Sequence, residues 1–225
     1  MGKKNNEPKV KIYSRKCSPL SIAIYYRMLL HRISQNLSPK EVSFLMGKRL
    51  DFMDKMERFK LIKWNLSDFF RAKAAFGLEN VDFLFPYVRV DIDKSFLYQV
   101  SIKTFEAWVV YDMKRWDSEV NMFVDEFQLI DKRHDIDLYK ESTESEQQEI
   151  RGWLRKLIEE SYFAENRSPN EIYEKCCADL DQYIEPKNLL TVLHEKMQVG
   201  APLQAGTPPA IKRIEHKNEA YYIGI

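Results

Sequence analysis

The residues able to do chemistry are few and scattered. Cys17, Cys176 and Cys177 are an odd set with two adjacent, which neither builds a disulfide framework nor supplies the four spaced ligands of a zinc site. His31, His134, His194 and His216 lie far from one another and from the cysteines. The 7 glycines are not grouped, so no phosphate-cradling loop is written. Asp91 with Asp93, and Asp135 with Asp137, are spaced to share one face of a strand. A metal-dependent nuclease would add a lysine or a third acid in a defined context, and none is readable here. These acids read as a solvated strand edge. No nucleophile and base are spaced as a catalytic set. The sequence therefore predicts no enzyme, no metal and no cofactor, and the cysteine usage fits a reducing cytoplasm.

What stands out is charge. The net charge of +1 over 225 residues hides three blocks. Residues 1–80 hold 17 Lys/Arg against 7 Asp/Glu, residues 81–150 hold 8 against 16, and residues 151–225 hold 10 against 11. A balance of +10 beside one of −8 is a statement about partners more than about fold. No apolar run approaches the roughly 20 residues of a membrane helix, and the polar start lacks the apolar core of a secretory signal. Residues 1–19 read as a basic tail.

The elements that would position these charges follow from periodicity. Leu20, Ile24, Met28, Leu29 and Ile33 recur at helical spacing. Ser38 and Pro39 restart a helix, with Glu41 in its first turn and Val42, Leu45 and Met46 as its apolar stripe. Gly47 ends it. A third helix from about Leu50 buries Met53 and Met56. A fourth from about Ser67 buries Phe69, Phe70, Ala74 and Phe76, and stops at Gly77. Within residues 81–131, alternation at Val88–Ile92 and β-branched and aromatic runs at 98–102 and 107–113 predict a small antiparallel sheet. A helix carrying Phe105, Trp108, Val109, Met113, Trp116, Val120, Phe123 and Phe127 on one face stays open as the alternative. Residues 132–146 read as a charged linker. Beyond it, Ile150, Trp153, Leu154, Leu157 and Ile158 share a face. Ser168-Pro169-Asn170-Glu171 starts a second helix, Pro186 opens a third, and two short apolar runs around 211–214 and 221–223 suggest a hairpin.

The run Leu37-Ser38-Pro39-Lys40-Glu41-Val42, Leu45-Met46-Gly47 and Met53-Asp54-Lys55-Met56-Glu57-Arg58 resembles the Xre/Cro-like, phage-repressor type of helix-turn-helix, over residues 20–80. Pro39 and Phe59 stand where that family usually has Gln and Gly. The resemblance implies that the helix after Gly47 lies in the major groove of duplex DNA. Mapped residue by residue, Lys48, Arg49, Phe52 and Lys55 face the groove, and Arg58, Lys60 and Lys63 add cations for phosphate. It also implies a homodimer on a two-fold site. By order of elements alone, residues 147–225 are similar to a winged-helix module. That likeness implies exposed Lys187, Asn188 and Thr191 on the helix from Pro186, and Lys212, Arg213 and Lys217 on the wing.

The expected fold is mainly α with small antiparallel β: a helix-turn-helix bundle, a small middle sheet and a winged-helix-like domain. The expected function is a cytoplasmic DNA-binding protein of the transcription-regulator kind. Its alternative is a non-enzymatic protein–protein interaction module that keeps the fold without binding DNA, a reading to which an exposed Phe52 and the acidic Asp51 and Asp54 lend weight.

Overall fold

The computed structural model describes residues 7–60, 63–87, 93–132, 143–197, 211–216 and 219–224. Two compact units emerge. The first takes Met1–Pro39 and Phe52–Leu138, and the second takes Lys40–Asp51 and Tyr139–Ile225.

A four-stranded antiparallel sheet, in the order β1-β2-β3-β4, organises the first unit. Its strands are β1 (Lys9–Cys17), β2 (Phe96–Thr104), β3 (Trp108–Asp117) and β4 (Met122–Lys132). The middle segment is therefore sheet and not helix. The basic start is not merely a tail: β1 pairs with β2 without a break, from Lys9 opposite Thr104 to Cys17 opposite Phe96. Alternation explains it, since Tyr13 and Cys17 turn inward while Val10 and Ile12 turn out. With seven α-helices and two antiparallel sheets among the described residues the fold is mixed α and β, as far as helices with small antiparallel β were expected, and mainly helical describes it only loosely. Strand alternation expected at Val88–Ile92 lies outside the described residues.

Helix α1 (Pro19–Ser34) starts on Ser18, whose side chain accepts the Ser21 N–H at 3.3 Å. It lays Ile22, Tyr25 and Leu29 against Tyr98, Val100, Tyr111 and Met113 of the sheet. At its end Arg32 is wholly buried. The guanidinium donates to Glu57 at 2.6 Å, Asp131 at 2.8 Å, the Leu37 carbonyl at 2.9 Å and the Tyr111 hydroxyl at 3.2 Å. Tyr111 in turn donates to Glu57 at 2.8 Å. Glu57 closes α3 (Phe52–Glu57), so this network ties two helices to two strands. Burial pushes the Glu57 carboxyl up, and the adjacent Arg32 opposes that.

Helix α4 (Leu66–Ala75) buries Asp68, Ala72 and Ala75, with Phe76 just beyond. The Asp68 carboxylate accepts the Asn65 N–H at 2.9 Å and fixes the start of the helix. This rotation corrects the expected inward face: Phe70 points to solvent. Gly77 takes a φ of +58°, as a stop at that residue requires.

The second unit holds α5 (Thr143–Glu159), α6 (Pro169–Leu180), α7 (Pro186–Met197) and a hairpin of β5 (Ile211–His216) with β6 (Glu219–Gly224). Ser168 and Glu171 form the capping box legible in the sequence, at 3.3 and 2.7 Å. Arg167, between α5 and α6, exchanges two backbone hydrogen bonds with Tyr222 of β6. Ile150, Leu154, Ile172, Cys176, Leu189, Leu193 and Tyr222 are buried among these elements. Most of α2 (Pro39–Leu45) and the turn at Gly47 belong to this unit too. Gly47 has a φ of +64°, and its carbonyl accepts the Ala220 N–H at 2.7 Å. The compact units thus cut across the expected 20–80 domain, between α2 and α3.

Candidate nucleic-acid interface

The two expected reading surfaces meet different fates. Around the helix after Gly47, Lys48 is buried, which removes it from any groove-facing role. Arg49 is exposed and stands 3.5 Å from Asp51. Phe52 is half-buried, its ring edge-on to Trp64 at 5.8 Å. Lys55 is half-buried, and Arg58 pairs with Asp54 at 2.6 Å. Lys60 and Lys63 are exposed. Lys48 and Arg49 fall in the second unit and the other five in the first. Helix α3 has only six residues, and Met53, Met56 and Glu57 of it are buried. The pattern Met53-x-x-Met56-Glu57 that suggests a groove-reading helix is the one that anchors α3 to its own unit.

The second surface is built on α7. Pro186, Asn188, Leu189, Leu190, Val192 and Leu193 are buried, leaving a narrow outer face of Lys187, Thr191, His194 and Glu195. Buried Asn188 corrects the expectation of an exposed amide: it bonds to Glu146 and accepts from Gln147 at 3.2 Å. Two carboxylates hold the start of the helix. Glu41 accepts the Lys187 N–H at 3.1 Å, and Glu146 accepts the Glu185 N–H at 3.1 Å. Both satisfy backbone donors at or just before the first turn, where negative charge is favoured.

Charge on the outer face is set by its neighbours. Glu195 is drawn to Arg151 of α5 by two bonds of 2.9 and 3.0 Å. Lys187 Nζ lies 2.7 Å from Glu185. Among the described residues, no acid acts on His194, and cations do. Burial lowers its pKa first, and then the cations of Arg213 on β5 and Lys40 on α2 lower it further. Lys40 and Lys212 are exposed, and Arg213 is half-exposed, 3.1 Å from Glu215. Thr191 is exposed, with its hydroxyl on the Lys187 carbonyl at 2.9 Å. Arg213 of β5 and Lys40 of α2 are thus near enough to His194 of α7 for their charge to act on it, and cations beside an imidazole suit phosphate oxygens. Lys40 and His194 escaped the reading of the sequence because Lys40 is 154 residues from His194. Lys217 lies outside the described residues, as do Asp91, Asp135 and Asp137.

Two of the thiols, Cys17 and Cys176, are poorly placed for nucleophilic work. Burial pushes Cys17 up to about 11 and Cys176 up to about 12, so both are protonated near neutrality. Among the described residues, no helix is long and apolar enough to cross a membrane. Compared with known proteins, the chain matches no family model, no curated protein and no solved structure.

Proposed function

We propose that the chain binds duplex DNA through its second unit, with α7 as the groove-facing helix and the β5–β6 hairpin as a wing. The observation that carries this reading is the polar outer face of α7, formed by Lys187, Thr191 and His194, with the cations of Arg213 and Lys40 near enough to act on His194. The order of elements supports it: three helices, a bridging residue between the first two, and a hairpin after the third, as in winged-helix modules. In this reading Lys40, Lys212 and Arg213 neutralise phosphates, while Lys187 and Thr191 approach base edges. The first unit then serves another purpose, since α3 is committed to its own core. A regulator of transcription acting as a homodimer on a two-fold site belongs to the same proposal.

The test is binding of the full chain to a short random-sequence duplex, followed by fluorescence anisotropy between about 50 and 200 mM salt. Log affinity falls linearly with log salt. Lys40→Glu with Arg213→Glu weakens binding and flattens that slope by about 2, roughly one unit for each lost phosphate contact. Arg49→Glu with Lys55→Glu changes it far less. Absence of binding at the lowest salt, or loss through the second pair and not the first, overturns the reading.

A further inference from the structure

Helix α4 is inside out. It buries the small face of Asp68, Ala72 and Ala75 and offers large apolar side chains to water. Leu66 is 72% exposed and Phe70 54%, one turn apart on the same face. They do not stand alone. Trp64, just before the helix, stacks on Phe69 at 5.8 Å, and Phe69 lies 4.9 Å from Phe85. Phe52 of α3 extends this row from the other side of Trp64. Phe83 and Tyr87, in and after the short turn at Val81–Leu84, are 40% and 67% exposed. A single exposed Leu or Phe needs no explanation, but an aromatic row bordered by four exposed large apolar residues on neighbouring elements does.

The charges at its border select the occupant. Lys63 precedes Trp64 and is exposed, and Lys73 lies one turn beyond Phe70 on α4. Arg27 of α1 sits over the Tyr87 ring at 5.0 Å. Of the carboxylates in this stretch, Glu57 and Asp68 are buried, Asp54 is held by Arg58, and Glu79 and Asp82 are at the surface. A second copy of this chain would set Lys63 and Lys73 against their own equivalents. A partner with apolar side chains among carboxylates meets no such cost at Lys63 and Lys73, the cations that flank α4's exposed Leu66 and Phe70, whereas Glu79 and Asp82 lie beyond the end of that helix.

We infer that α4 and the aromatic row around Trp64 form a docking surface for a protein segment in which Phe and Leu are interspersed with Asp and Glu. Leu66 and Phe70 supply the apolar contact, as anchors of a small interface. Lys63 and Lys73 provide orientation and speed of encounter through charge. This surface lies wholly in the first unit.

The experiment uses the full chain on an array of 15-residue peptides of Phe, Leu, Asp and Glu at varied spacing, with a matched array carrying Lys and Arg in place of the acids. Hits are re-measured by anisotropy. Expected is binding to the acidic array alone, weakened at least tenfold by Leu66→Ser with Phe70→Ser and several-fold by Lys63→Glu with Lys73→Glu. Since these side chains are exposed, circular dichroism serves to show that each variant keeps its fold. Three results overturn the inference: no binding to the acidic array, equal binding to the basic array, or binding indifferent to the Leu66 and Phe70 pair. Sedimentation of the free chain and titration with an oligothymidylate supply the other occupants. Self-association, or single-strand binding, abolished by Leu66→Ser with Phe70→Ser assigns the surface to a second copy or to nucleic acid, and removes the peptide.

Discussion

The two units solve the burial of polar groups in opposite ways. In the first, a fully buried arginine of α1 sits at the centre, and α3, β3, β4 and the loop after α1 are fastened to it through Glu57, Tyr111, Asp131 and the Leu37 carbonyl. In the second, the centre is apolar, built from Ile150, Leu154, Ile172 and Leu189, and the carboxylates Glu41 and Glu146 work at the start of a helix. A charged hub is intolerant of losing one member, because the others are left buried and uncompensated. An apolar centre loses only contact and volume. A difference in surface accompanies this. The first unit spends several large apolar residues, Leu66 and Phe70 among them, on its outside, while in the second α7 turns only Lys187, Thr191, His194 and Glu195 outward among its described side chains and Tyr183 is the large apolar residue most exposed.

The comparison breaks most sharply at Arg32. Arg32→Leu strands Glu57 and Asp131, and the expected loss is about 3–5 kcal/mol of unfolding free energy, read from urea denaturation followed by tryptophan fluorescence. Adding Glu57→Leu returns part of that loss by removing one stranded carboxylate. A single variant as stable as the parent would mean that the hub is ornamental. In the second unit, Ile172→Ala costs about 2–4 kcal/mol for the lost contacts and the cavity left behind, measured in the same way. No second substitution of a neighbouring polar residue should restore it, which is the qualitative mark that separates the two centres.

A smaller effect sharpens the contrast at helix ends. Glu41→Ala removes the acceptor of the Lys187 N–H, and about 1 kcal/mol is expected, within the range of a lost cap. Hydrogen exchange at the first turn of α7 reports it locally. Faster exchange there, with the sheet of the first unit unchanged, is the expected pattern. Uniform acceleration throughout the chain would show that Glu41 does more than hold one helix end.

Much of this was legible in local sequence, and what escaped was long-range. Ser168 with Glu171, Pro169, Gly47 and Gly77 each state a helix boundary through chemistry confined to a few residues, and each stands where it was read. The antiparallel strands of the middle segment announced themselves by β-branched and aromatic runs. Strand β1 did not, because four cations in nine residues read as a tail until β2, more than 80 residues on, supplies its hydrogen-bond partners. The rotation of α4 was missed since Phe69 and Phe70 read as core by type, whereas the buried face is the small one of Asp68, Ala72 and Ala75. Lys48 and Asn188 were placed at the surface by the helix-turn-helix and winged-helix resemblances, and both are buried. The proposed site at α7 draws Lys40 from α2, most of which belongs to the second unit.

The smallest effect is the one that joins fold to function. His194 in the folded chain holds its proton less firmly than an ordinary histidine, by burial and then by Arg213 and Lys40. The unfolded chain therefore takes up that proton first as pH falls. The contribution of neutral His194 to stability is complete above the unfolded value near 6.5 and declines below it, toward the lowered folded value. Binding to DNA should show the opposite slope. A phosphate between Lys40, Arg213 and His194 favours the imidazolium, so protons are taken up on binding and affinity rises from about pH 7.5 to 6. His194→Gln should flatten both profiles together while leaving binding above neutrality nearly intact. If the stability profile flattens but the binding profile keeps its slope, His194 lies outside the contact and α7 presents a different edge to the duplex.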